Sequence, residues 1–170
     1  RGVCWADVDG DGLPELFLAN EGAADRLLKS WGDFGTGWVF APYSGFTGNA
    51  GASMAAAWSD HDGDGDPDLY VARDGAANSL YQNEGASGLY DNAPGTPLAD
   101  PGPGAGVAWG DIDNDGDLDL YGCNEGQADL LLLNDGGSYT AAFGPGLEDA
   151  GAGRGVTFAD LDNDGDLDLY

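Results

Sequence analysis

Apolar residues along this 170-residue chain come in short runs, each closed by glycine, proline, asparagine or aspartate. Runs of that kind predict β-strands joined by turns rather than helices. In the best-marked stretch, strands are expected near Ala55–Trp58, Leu69–Ala72, Ser79–Gln82 and Gly88–Tyr90. A turn over residues 73–78 separates the second strand from the third. A connector rich in glycine and proline, residues 93–106, then leads to the next run.

The pattern repeats. Acidic strings begin at Asp7, Asp60, Asp111 and Asp160, in steps of 53, 51 and 49 residues. Two residues before each string stands an aromatic: Trp5, Trp58, Trp109 or Phe158. Each string ends in leucine and an aromatic: Leu16 and Phe17, Leu69 and Tyr70, Leu120 and Tyr121, Leu169 and Tyr170. Residues 20–32, 73–85 and 124–136 superpose without gaps. The units are therefore 1–53, 54–104 and 105–153, with a fourth begun at 154–170.

Four strands in a period near fifty predict a β-propeller blade. The fold class expected is all-β, about three and a half four-stranded blades. Small residues crowd the first strand (Ala55, Ala56, Ala57; Gly106, Val107, Ala108), as suits a strand near the axis where blades converge. Propellers typically close with about 4–8 blades. The expectation is thus a piece of a larger propeller, or one completed by other chains. The first residue is Arg1 rather than methionine, as expected if a leader has been removed or if the chain is a piece of something longer.

Charge narrows the partners. Asp and Glu number 31 against 5 Lys and Arg, a formal charge of −26. Such a chain repels nucleic-acid phosphate and anionic lipid, and no apolar run is long enough to insert into a bilayer. Hydrophobic residues make up 42% and aromatic residues 11%, enough to fold rather than stay disordered. Cys4 and Cys123 occupy different positions in their units and are expected as small buried thiols.

The acidic strings carry the chemistry. Counted from the first aspartate, carboxylates fall at positions 1, 3, 5 and 9, with glycine at 6. Side chains on alternate residues converge on one point only if the chain curls, and the glycine permits the sharp turn. Position 7 varies in side chain, as expected if only its carbonyl is used. The candidate ligands are Asp7, Asp9, Asp11, Leu13 (carbonyl) and Glu15; Asp60, Asp62, Asp64, Asp66 and Asp68; Asp111, Asp113, Asp115, Asp117 and Asp119; Asp160, Asp162, Asp164, Asp166 and Asp168. An all-oxygen set suits a hard cation, Ca2+ before Mg2+, at about four sites. Four dications would bring the formal charge from −26 to −18, so calcium is expected to support folding as well as to bind. An EF-hand closes with glutamate at position 12, but here that position holds Leu18, Val71 or Gly122. Position 9 takes over as the closing carboxylate.

These residues resemble the FG-GAP/VCBS repeat of integrin α-subunit propellers and bacterial surface proteins. The resemblance reads most fully in "GAGVAWGDIDNDGDLDLYGCNEGQADLLLLNDG", Gly104 to Gly136. It implies a propeller with calcium in the loop between a blade's first two strands, seven-bladed in the integrin-like case. Glu15 and Pro14 in unit one depart slightly from the pattern.

Other residues read more plainly. His61, the one histidine, stands at position 2 of its loop and is expected to point outward as a solvated spacer. Trp5, Trp58 and Trp109 are expected to pack between blades, whereas Trp31 and Trp38 lie outside the repeat and are expected to pack locally, with a specific contact as the alternative. Catalysis has little foothold with one histidine and one lysine, Lys29. The reading is a calcium-binding extracellular or cell-surface segment that serves as a structural, adhesion or protein-interaction scaffold and is not an enzyme. Its partners are other protein chains or further copies of itself. A glycan-binding propeller and a calcium-stabilised surface filament are the alternatives.

Overall fold

The structure, a computed structural model, describes residues 2–33, 35, 37–144 and 150–170. The short apolar runs form antiparallel sheets. Unit one contributes β1 (Val3–Ala6), β2 (Glu15–Leu18), β3 (Glu21–Ala24), β4 (Arg26–Asp33) and β5 (Trp38–Pro42). Unit two contributes β6 (Ala50–Ser59), β7 (Asp68–Asp74), β8 (Ser79–Asn83) and β9 (Leu89–Asp91). Unit three contributes β10 (Gly104–Gly110), β11 (Asp119–Asn124), β12 (Leu130–Asp135) and β13 (Ser138–Ala142), and unit four β14 (Phe158–Ala159) and β15 (Asp168–Leu169). Among the described residues the only helical turn is a 3-10 turn, Gly85–Ser87.

The four strands expected in unit two coincide with or overlap β6, β7, β8 and β9. The protein is all-β, with sheets curled as propeller-like blades in the orders β1-β2-β4-β5, β3-β6-β7-β8-β9, β10-β11-β12-β13 and β14-β15. One strand breaks the one-unit, one-sheet rule. β3 joins the sheet of unit two, pairing with the start of β6 (Glu21 opposite Ala52), where β6 runs from residues 50–53 of unit one into unit two. A single bridge, Glu125 to Ala152, makes the like contact at the end of unit three, just ahead of unit four.

Register is identical at every loop base. Trp5 pairs with Leu16, Trp58 with Leu69, Trp109 with Leu120 and Phe158 with Leu169. The next pair outward always sets position 9 against the residue before position 1: Ala6 and Glu15, Ser59 and Asp68, Gly110 and Asp119, Ala159 and Asp168. Each acidic string is therefore one hairpin loop, and its ninth residue is already in the strand.

Small residues let the first strands approach one another. A Cβ on Gly2 would lie 3.1 Å from the Ala55 Cα, and one on Gly106 would lie 3.2 Å from the Gly155 Cα. Each of these four residues stands five before its acidic string, so like positions of neighbouring units touch. Behind them the core gathers at the unit borders. Val8, Phe17 and Leu27 of unit one pack with Leu69, Val71 and Tyr81 of unit two. Tyr70 and Leu80 of unit two pack with Leu120 and Leu132 of unit three. Fully burying a leucine or phenylalanine contributes about 1.5–3 kcal/mol, so much of the apolar stabilisation joins units rather than filling them.

The tryptophans divide. Trp58 and Trp109 pack against these border clusters as expected. Trp5 is half exposed instead, lying against Phe40 with ring centroids 5.9 Å apart. Trp31 and Trp38 are exposed. Cys4 is half-buried and Cys123 buried, both as thiols, and burial pushes the Cys4 thiol up to about 12.

Candidate metal centre

The four loops share one backbone course, and the position-1 carboxylate organises it. Asp7 accepts the Asp11 and Gly12 N–H groups at 3.0 and 2.8 Å. Asp111 accepts those of Asp115 and Gly116, both at 3.1 Å, and Asp160 those of Asp164 and Gly165, both at 3.2 Å. Asp60 accepts the Gly65 N–H at 3.0 Å. Position 5 then accepts the N–H of position 7: Asp11 from Leu13, Asp64 from Asp66, Asp115 from Asp117 and Asp164 from Asp166, at 2.9–3.0 Å.

Two positions in each loop have positive φ. Position 6 is glycine at φ 85–100° (Gly12, Gly65, Gly116, Gly165), as the sequence implies. Position 4 is also left-handed: Gly10, Gly63, Asn114 and Asn163 at φ 60–73°. The sequence held a signal for this, because glycine and asparagine are the residues that enter this region most readily.

The curl brings carboxylates together. Oxygens of Asp60, Asp62 and Asp64 lie within 4.8 Å of one another, as do those of Asp111, Asp113 and Asp115. In loops one and four the same holds for Asp7, Asp9 and Glu15, and for Asp160, Asp162 and Asp168. An ion with metal–oxygen distances of about 2.4 Å spans opposed ligands about 4.8 Å apart. The donor set is all oxygen, so these residues fit a hard divalent cation.

Position 7 stays out of these groups. The Asp117 carboxylate turns away to accept the Gly136 N–H at 2.7 Å, and Asp166 accepts from the Asn114 side chain at 2.9 Å. Asp66 and Leu13 likewise belong to none of the clusters by their side chains.

Position 9 has a second duty that spacing did not reveal. Glu15, Asp68 and Asp119 are fully buried. One oxygen of each position-9 carboxylate accepts the N–H of position 2: Val8, His61, Ile112 or Leu161, at 2.8–3.1 Å. The other oxygen accepts an N–H from the third strand, Ser30 at 3.3 Å, Asn83 at 2.7 Å or Asn134 at 2.8 Å. Burial pushes the Asp68 carboxyl up to about 7 against the pull of these N–H bonds. Burial raises Glu15 as well.

Asn83 and Asn134 extend the network between units. The Asn83 amide donates to the Val8 carbonyl of the preceding loop at 2.9 Å and to the Pro67 carbonyl of its own at 3.3 Å. Asn134 does the same to His61 and Leu118, at 3.1 and 3.2 Å. Unit one has Ser30 at this place.

Loop one carries its own cation. The Lys29 ammonium bonds the Asp9 carboxylate and lies 2.7 Å from Asp11 Oδ2. Burial works against its charge, but the bonds to Asp11 and Asp9 raise the lysine above its usual range. Asp11 is lowered in return, by the Lys29 bond first and the Leu13 N–H second. The same place holds Gln82 in unit two and Leu133 in unit three. Gln82 donates to Asp62 Oδ2 at 2.6 Å.

His61 corrects an expectation. It does not point outward; it is only 7% exposed. Its ring stacks on Trp109 at 6.2 Å, and Nδ1 is 3.0 Å from the Tyr139 hydroxyl. The curled loop turns position 2 into the border between units two and three rather than toward water. Burial lowers its pKa despite the nearby Asp62, Asp60 and Asp64.

A profile of the FG-GAP-like repeat matches residues 7–71, 60–122 and 118–170. The chain belongs to the FG-GAP-like repeat family. Each matched stretch begins in or near an acidic loop and takes in the strands that follow, so the loop and the blade are one repeating feature. No curated protein matches the chain in sequence. As an FG-GAP-like repeat protein, the chain is a scaffold of repeated blades. No helix among its described residues is long and apolar enough to cross a membrane.

Proposed function

We propose that this chain is a calcium-binding, extracellular propeller segment that acts as a structural, adhesion or protein-interaction scaffold. The observation that carries the reading is the convergence of carboxylate oxygens, within 4.8 Å of one another, in four loops of one design. Calcium tolerates the irregular oxygen shell that such a loop offers. Extracellular modules of this kind bind at about 10⁻⁴–10⁻³ M, which favours a calcium-rich compartment. No catalytic role is proposed. Calorimetric titration tests the reading: calcium should bind at loops two, three and four, with loop one weaker. A chain that takes up no calcium at millimolar concentration would overturn it.

Protein is the partner best supported. Trp5, Pro14, Ser30, Trp38 and Phe40 line an open apolar cavity of about 430 Å³. Trp5 is the register counterpart of Trp58 and Trp109, which a preceding unit covers. This face therefore suits another blade more than a sugar. Glycan-array binding abolished by Trp38→Ala would favour the carbohydrate-binding alternative instead.

A further inference from the structure

We propose that His61, Asp62 and Asp68 form a second kind of cation site, found in unit two alone, for a borderline divalent cation of the zinc class. His61 Nε2 is buried and has no hydrogen-bond partner. It faces the Asp68 carboxylate, 3.9 Å from Oδ2. One ligand atom from each of His61, Asp62 and Asp68 lies within 4.8 Å of the other two. A zinc ion binds nitrogen and carboxylate oxygen at about 2.0–2.2 Å, which sets a tetrahedral ligand edge near 3.4 Å. His61 and Asp68 need to close by about 0.5 Å, and the other pairs by about 1.4 Å at most, to meet it.

An imidazole nitrogen changes the preference of the site. Loops one, three and four have Val8, Ile112 and Leu161 at the position of His61 and present oxygen only. Imidazole favours zinc, copper, nickel and iron over calcium. The far side of the ring is already arranged for ligation. Nδ1 sits 3.0 Å from the Tyr139 hydroxyl, and donating its proton there leaves the Nε2 lone pair for the metal. That proton assignment follows from the ligand role.

Asp62 is exposed, so the trio is open to solvent on the side of that carboxylate. Three protein ligands leave a fourth position for water or an entering donor. Asp62 and Asp68 are both candidate calcium ligands of loop two as well, so zinc and calcium contend for them. What sets the zinc site apart is the His61 nitrogen, which the calcium reading does not use.

The test uses the whole chain and zinc chloride. His61 is the only histidine, so its Nε2 resonance in a 15N–1H spectrum reports this site alone. One equivalent of zinc should shift that resonance strongly, and His61→Val, the unit-one residue, should remove the corresponding binding in calorimetry. Tyr139→Phe should weaken zinc about tenfold. Asp60→Asn, outside the trio, should weaken calcium at loop two and leave zinc in place, which separates the two readings. An Nε2 resonance unmoved by excess zinc overturns the proposal in the unaltered chain, whatever the variants do. Equal zinc binding by His61→Val and the parent chain overturns it as well.

Discussion

Lys29 reaches from the third strand of unit one to within 2.7 Å of Asp11 Oδ2, and Gln82 makes the same reach to Asp62 in unit two at 2.6 Å. One side chain brings a positive charge to its loop and the other does not. Two acidic loops of one design thereby differ in the charge set beside their carboxylates.

Exchange of these residues should exchange the behaviour of the loops. Lys29→Gln removes an ammonium within about 5 Å of an ion bound to the same carboxylates, a repulsion of about 1 kcal/mol or more even in water-like surroundings. Loop one should gain about tenfold or more in calcium affinity, read as an added equivalent in calorimetry. Gln82→Lys should take a comparable amount from loop two. If neither variant changes stoichiometry or affinity, Lys29 does not tune its loop.

Asn83 and Asn134 each tie a loop to the loop before it. Asn83→Ala removes two amide hydrogen bonds and leaves the Val8 and Pro67 carbonyls without that donor. Buried acceptors left unmet cost about 1–3 kcal/mol. Urea unfolding should show a loss of that size for Asn83→Ala and for Asn134→Ala. Ser30→Ala should lose much less, since the bond to Glu15 comes from the Ser30 backbone.

The left-handed positions separate backbone from packing. A Cβ at Gly63 or Gly65 would meet nothing within 4 Å, so strain at φ of 73° and 95° is the only objection to a side chain. Gly63→Asn should be nearly neutral, because Asn114 and Asn163 already occupy that place. Gly63→Val and Gly65→Val should each lower stability by about 1–2 kcal/mol, because a β-branched residue is strained there. Thermal melts of the three variants give the order directly.

Asp68 sets a pH dependence for the calcium-free chain. Its carboxyl is raised by burial to about 7 in the fold and titrates near 3.9 when unfolded. Between those values the folded state holds more protons than the unfolded one, so stability falls as pH rises through the window. Above it the loss is complete. Glu15 acts in the same direction. His61, lowered by burial, works the other way below about 6.5. In chelator, the melting temperature of His61→Val, free of that opposing group, should fall from pH 4.5 to pH 7.5. Calcium should restore it at the higher pH. A melting temperature that rises across that range in chelator would count against a buried, protonated Asp68.

Much of this was legible in residue order. The recurring Trp–x–Asp start and Leu–aromatic finish gave the period, and the period gave the strands, because alternation and turn residues act locally. The loops were legible for the same reason: Asp111, Asp113, Asp115 and Gly116 lie within one turn of chain. What stayed hidden depends on neighbours far away in sequence. Nothing local says that β3 joins the sheet of unit two, or that Lys29 comes to rest beside Asp9 and Asp11. His61 was misjudged because alternation was carried into a loop whose fourth residue is left-handed, which redirects the side chains around it. Asp68 and Asp119 were read as ligands from their spacing, and their bonds to Asn83 and Asn134 needed the third strand in place.

The seam formed by β3 puts the repeating sequence and the hydrogen-bonded sheet out of phase. Residues 21–24 are written with unit one, yet they complete the sheet of unit two. At that border hydrogen bonds as well as apolar packing hold the two units together. The steps between strings still vary, 53, 51 and 49 residues, so connections change length while the sheets persist. The phase offset thus makes the second blade a shared possession, its edge closed by a strand that the first unit supplies.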